Sequence, residues 1–289
     1  MDIGKKHFSR YSNRGFTLVE ILVASTVMVI LVGIVASIAG RVMDSWNRSS
    51  GKLSANAEAR LALDLIAMDL ETLVLRNNGQ QWLRVEETEP SDIGGPYSSD
   101  SVNLKLFAPA MDRQSSDGVC AIAYKLAYQP SYTGGPSTYA LYRMVVSPQV
   151  TLENYLSSRF DDPDSSAQGT LADDNSVADW RNVTITNVAN YLVSNVVEFK
   201  ILIYDTSQTL RNADTNHNIT GDYIFGGTGS NSGTNVPLHA DIILTVITDQ
   251  GMALLNNIQL GLIPGDADDV VTQNAETLIR RVYFESNPI

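Results

Sequence analysis

Apolar residues run unbroken near the start of this chain. Ile21 to Gly40 reads ILVASTVMVILVGIVASIAG, 20 positions without a charge. At 1.5 Å per residue such a helix is roughly 30 Å long, the thickness of a bilayer's hydrocarbon core. Lipid offers the backbone no hydrogen-bond partners, so the run predicts an α-helix despite its β-branched residues. Ser25, Thr26 and Ser37 can bond back to carbonyls of the preceding turn. Gly33 and Gly40 are commoner in membrane helices than in soluble ones.

Past Gly51 the pattern becomes periodic. Leu53, Ala57, Leu61, Leu65 and Met68 recur at helical spacing, and Leu63, Ile66, Leu70 and Leu73 widen the stripe. Arg60 and Asp64 form an i,i+4 pair, and Asn77-Asn78-Gly79 reads as a helix stop. One long helix is therefore predicted over residues 16–76. It spans the membrane over about 18–40 and is amphipathic over 41–76, with its stripe buried on the chain's own sheet. Residues 77–289 read as a β-rich globular head.

Within that head, Val102–Phe107 alternates apolar and polar as a half-buried strand does. Val119–Tyr128 and Tyr139–Val146 pair across the turn-rich Pro130–Pro136. Residues 148–180 read as an acidic, irregular insertion with a short helix near Leu152–Phe160, and Val183–Thr186 as a short strand. Val188–Asn195 is ambiguous, with a helical reading open. Val196–Tyr204, Ala240–Thr248 and Thr277–Glu285 read as strands. Gly251–Gly261 fits a helix or a strand, and residues 264–275 a loop. A long helix followed by a largely antiparallel sheet is an α+β architecture.

Charge orients the apolar run. Lys5, Lys6, Arg10 and Arg14 precede it and outnumber Arg41 after it. Positive flanks stay in the cytoplasm, which predicts a single-pass inner-membrane protein with a cytoplasmic N-terminus and an extracytoplasmic head. Glu20 is the anomaly. A carboxylate at the centre of a membrane helix costs about 2.5–3.5 kcal/mol, and less near the interface. An intramembrane ionisable group is a functional hypothesis, and its natural partner is a cation at the same depth.

The run Arg14-Gly15-Phe16-Thr17-Leu18-Val19-Glu20, followed by the apolar span, resembles the processing site of type IV pilins and type II secretion pseudopilins. The resemblance implies cleavage between Gly15 and Phe16 by a prepilin peptidase, with N-methylation of Phe16 and release of residues 1–15. It implies that Glu20, the fifth mature residue, pairs with the terminal amine of a neighbouring subunit during assembly. The implied partners are that peptidase, other pilin or pseudopilin subunits and an inner-membrane assembly platform. Arg60–Leu70 and Leu192–Phe199 are similar to the larger minor pseudopilins of the J type. Ser45-Trp46 and Ser50–Leu53 are similar to the pilin-like Verru_Chthon cassette protein C group. The expected role is a minor structural subunit of a type IV pilus or secretion pseudopilus. An adhesin or ligand-binding head on a stalk is the alternative. A secretory signal cut after Ser37-Ile38-Ala39 is opposed by the length of the apolar run and by Glu20.

Composition narrows the chemistry. The formal net charge is −12, and loss of residues 1–15 would take it to −15. That excess lacks the basic footprint that counters phosphate, so no nucleic-acid partner is expected. Cys120 is the single cysteine, so no intramolecular disulfide forms, and its strand-like setting reads as a buried thiol. His7, His217 and His239 are scattered, and no nucleophile elbow or phosphate-binding loop occurs, so no catalytic site and no enzyme activity are expected. Gly226–Gly233 reads as a flexible loop. Asp214, Asn216, Asn218 and Asp222 place oxygen ligands at alternate positions, as a calcium loop does. The pattern departs from the EF-hand at Ile219 and Phe225. An Asn/Asp-rich turn is the competing reading, with calcium the only cofactor considered.

Overall fold

The computed structural model describes residues 17–76, 81–110, 118–130, 132, 134–152, 185–226 and 236–284. The expected helix stop at Asn77-Asn78-Gly79, almost all of the expected helix at Leu152–Phe160 and the first half of the Val183–Thr186 strand lie outside them. The chain divides into two units, Met1–Ser49 and Ser50–Ile289. Helix α1 runs from Leu18 to Glu71. In the first unit its apolar span, Leu18–Met43, has no buried residue.

Among the described residues the second unit holds nine strands, paired antiparallel throughout. They are β1 (Gln81–Thr88), β2 (Ser101–Ala108), β3 (Cys120–Pro130), β4 (Ser137–Val145), β5 (Tyr191–Ser194), β6 (Val196–Asp205), β7 (Tyr223–Gly226), β8 (Pro237–Ile247) and β9 (Ala275–Tyr283). The larger sheet has the order β5-β4-β3-β2-β1-β7, the smaller β6-β8-β9. Two helices, α2 (Asp249–Gln259) and α3 (Ala267–Asn274), link β8 to β9.

Cross-strand register puts Val85, Leu104, Tyr124 and Arg143 in one row on one face of the larger sheet. The C-terminal half of α1 packs here. It buries Ala59, Ala62, Leu63, Ile66, Ala67 and Leu70. One charged residue goes in with them. Asp69 is fully buried and accepts from Arg143 Nε at 2.9 Å and Arg143 Nη2 at 3.0 Å, while the Tyr124 hydroxyl donates to the same carboxylate. The bidentate fork fixes both the depth and the rotation of the helix on the sheet. The smaller sheet reaches the same helix through β9, where Arg280 pairs with Asp64 and Asn56 Nδ2 donates to Glu276 at 2.8 Å.

Several expectations need correction. Asp64 pairs with Arg280, not with Arg60. The helix stops at Glu71, not near 76: Leu73 and Leu75 are buried, and Val74 N donates to Phe107 O at 2.9 Å, so the chain leaves the helix for the sheet. The stripe is rotated. Leu53 and Leu61 are 70% and 71% exposed, whereas the line Ala59–Ala62–Leu63–Ile66–Leu70 is buried. Leucine outweighed alanine in the sequence reading, but alanines let the helix backbone approach the sheet. Tyr191–Ser194 is a strand after a single 3₁₀ turn at Val188–Asn190, and Thr186 lies in a turn. Residues 267–274 are helical, because Asp266 caps the segment by accepting from Asp268 N at 3.0 Å and Val271 enters the core. Gly251–Gly261 resolves as helix. Gly251 lets α2 start against β8, since a Cβ there would lie 2.6 Å from Ile247. Strands β1 and β7 were not anticipated.

Replacing Asp69 by alanine leaves the Arg143 guanidinium buried without its carboxylate. It should cost about 3–5 kcal/mol in urea unfolding, and the double variant Asp69→Leu/Arg143→Met should recover most of that loss.

Candidate functional site

The chemistry of an anchor would sit at the start of α1. Gly15 and Phe16 lie outside the described residues. Glu20 is described. Its Oε2 accepts from Thr17 N at 2.9 Å and from Thr17 Oγ1 at 3.0 Å, and Glu20 N donates to Thr17 Oγ1 at 3.3 Å. This is a capping box, with Thr17 as the N-cap and Glu20 three residues on. The T-x-x-E spacing of Thr17 and Glu20 is the sequence signature of that box. The carboxylate satisfies the N-cap Thr17 N–H while the Thr17 hydroxyl satisfies the Glu20 N–H, so two donors at the helix start are paired reciprocally. Farther along, Ser25 and Thr26 donate to Leu22 O, as their positions led one to expect.

The four oxygen-bearing residues of the 214–222 stretch divide into two settings. Asp214 is turned onto its own backbone. Its Oδ1 accepts from Asn216 N at 2.8 Å and Asn218 N at 2.9 Å, and its Oδ2 from Asn218 Nδ2 at 3.1 Å. Asp214 N donates to Asn218 O at 2.9 Å, and His217 supplies the left-handed residue with φ 65°. Asp222 instead accepts from Glu87 N at 2.9 Å on β1 and from Arg84 at 3.5 Å. Protein donors close this turn, as the turn reading requires. Among the described residues no group of three or more His, Cys, Asp or Glu side chains is placed to hold a metal.

A neighbouring turn follows the same logic. Asp205 Oδ1 accepts from Ser207 N and Thr209 N, both at 2.9 Å, and Oδ2 pairs with Arg211. The Thr209 N–H first, then Arg211 and Ser207, hold its carboxyl below the ordinary carboxylate range against the opposing effect of burial. Asp214 is also lowered, chiefly by the Asn218 N–H. Elsewhere Cys120 is buried in β3. His239 stacks on Tyr204 with centroids 4.5 Å apart. Burial first, then the charge of Arg281, pushes its pKa down.

Residues 10–36 match the model of the prokaryotic N-terminal methylation motif. The N-terminus therefore carries a prokaryotic N-terminal methylation motif. Among solved structures, the type IV-like pilin TTHA1219 from Thermus thermophilus is similar at 9% identity, with a TM-score of 0.37 over 79% of this chain and 96% of that one. No curated protein matches the chain. The chain pairs a helix that carries this motif with an antiparallel β head.

The depressed carboxyl of Asp205 stabilises the fold above about pH 4, the ordinary value, and that contribution is lost as pH falls through the lower folded-state value. The gap in urea midpoint between the natural chain and Asp205→Asn should be widest at neutral pH and narrow progressively in acid. A gap independent of pH would show that the carboxylate charge contributes nothing. If protein donors alone close the 214–218 turn, neither added calcium nor a chelator should shift the thermal midpoint.

Proposed function

We propose that this chain is a minor structural subunit of a type IV pilus or a type II secretion pseudopilus. Prepilin peptidase removes residues 1–15 and methylates Phe16. The subunit waits in the inner membrane with its head outside the cytoplasm, until the assembly platform moves it into a filament. The observation that carries this reading is the two-sided use of α1. Its C-terminal half buries one line of residues in its own head, while Leu53 and Leu61 on another line remain exposed. The span Leu18–Met43 is exposed throughout. An apolar surface of that length is stable in lipid or against equally apolar helices, so lateral exchange from bilayer to helical bundle is the transition it supports.

Glu20 supplies register in this reading. Its capping bonds both fall on Oε2, and the methylated amine of a neighbouring Phe16 is the cation that would neutralise it. A charged pair in a low-dielectric bundle is strong only when geometry is met, which makes the pair a test of subunit position. The acidic head would give the subunit its partners within the filament.

Three outcomes are expected in cells expressing the assembly system. Mass spectrometry of the isolated protein should show Phe16 as the first residue, carrying one methyl group. Glu20→Gln should lower incorporation into sheared filaments about tenfold or more, the ratio for ~1.4 kcal/mol. Leu61→Glu should also block incorporation while changing unfolding stability by less than about 0.5 kcal/mol, because the site is solvent-exposed in the subunit. Normal filament content in both variants would refute the proposal.

A further inference from the structure

The chain passes from the larger sheet to the smaller through one residue. Strand β5 ends at Ser194 and β6 begins at Val196, leaving Asn195 between them. Asn195 takes φ 60°, a left-handed conformation that asparagine tolerates better than most residues. It is 8% exposed, and its amide is oriented at both ends. Thr138 Oγ1 donates to Oδ1 at 3.0 Å, and Nδ2 donates to Asp249 Oδ1 at 2.6 Å. Beside this junction lies an open cavity of about 400 Å³. That volume suits a small ligand rather than a single water.

Its walls mix apolar groups, Pro136, Met252 and Ala253, with polar side chains held by hydrogen bonds. Asn256 accepts from the Tyr128 hydroxyl at 2.7 Å and donates to Ser137 O at 3.1 Å. Asp249 opens α2, directly after the capping Thr248. Tyr191, 40% exposed, stands at the rim, set edge-on against Tyr142 with centroids 6.1 Å apart.

Electrostatics narrows the ligand class. Asp249 is the one charged residue in the lining among the described residues, so no cation is present to hold a phosphate or carboxylate. The Asn195 amide and the positive end of α2 already compensate Asp249, which weakens the attraction for an amine. What remains is a neutral ligand rich in hydroxyls, with an apolar face for an aromatic ring. We propose that this cavity binds a neutral saccharide unit, with Tyr191 against the ring and Asp249, Asn195 and the Ser137 and Thr138 hydroxyls bonding its hydroxyl groups. This inference is independent of filament assembly.

The full chain, held in a detergent without a sugar headgroup, is applied to an array of neutral, sulfated and sialylated mono- to trisaccharides. The methyl glycoside of the strongest neutral ligand is then titrated by calorimetry or ligand-observed NMR. A dissociation constant on the order of 1 mM or tighter is expected for one unit. Tyr191→Ala and Asp249→Ala should each weaken it at least about tenfold. Ala253→Trp, placed on an exposed lining position of α2, should abolish it by filling the cavity while leaving the thermal midpoint in place. No neutral saccharide above background, a preference for charged glycans, or affinity unchanged by Ala253→Trp would overturn the proposal. Filament incorporation of the Ala253→Trp chain should stay normal, which separates this outcome from any failure of assembly.

Discussion

The buried contact of Asp69 with Arg143 and Tyr124 is the constraint on which the rest of the head depends. Two charges and a phenol are removed from water between a helix and a sheet. Such a group is tolerated only when every partner is in place. A one-residue slip of α1 would turn Asp69 away from Arg143 and leave both charges buried. The apolar contacts around it would accept several registers, since leucines and alanines pack without strict direction. The ion pair accepts one. It therefore decides which line of the helix enters the core.

That choice has a consequence on the opposite side. With Asp69 and Ile66 turned inward, Leu53 and Leu61 are turned out. Their exposure follows from the register that the ion pair selects, not from the apolar character of the two side chains. The Thr17–Glu20 capping box closes the start of the helix, where the carboxylate accepts from the N-cap residue.

The turns of the head follow a common design. Asp205, Asp214 and Asp266 each fold a carboxylate onto neighbouring backbone N–H groups. These three carboxylates are structural, because each closes a turn or starts a helix. Asp222 is different in reach, bonding across to β1 and tying the segment before β7 to the sheet that β7 extends.

The sequence by itself determined the elements whose signal is local. The span from Leu18 was legible because a long uncharged run has one stable conformation in lipid. The methylation motif was legible because it is read as linear spacing. Strands β2, β3, β4, β6, β8 and β9 were visible because their residues alternate or cluster between clear turn signals. Strands β1 and β7 were not: β1 carries the charges of Arg84, Glu86 and Glu87, and the ion pairs that accommodate Glu86 and Arg84 reach to Lys105 and Asp222 on other segments. Only the tertiary structure decided which face of α1 is core, where that helix ends, and that Asn195 joins two sheets beside a cavity. Those features depend on contacts between residues tens of positions apart, and no local period encodes a partner that the chain reaches only after folding.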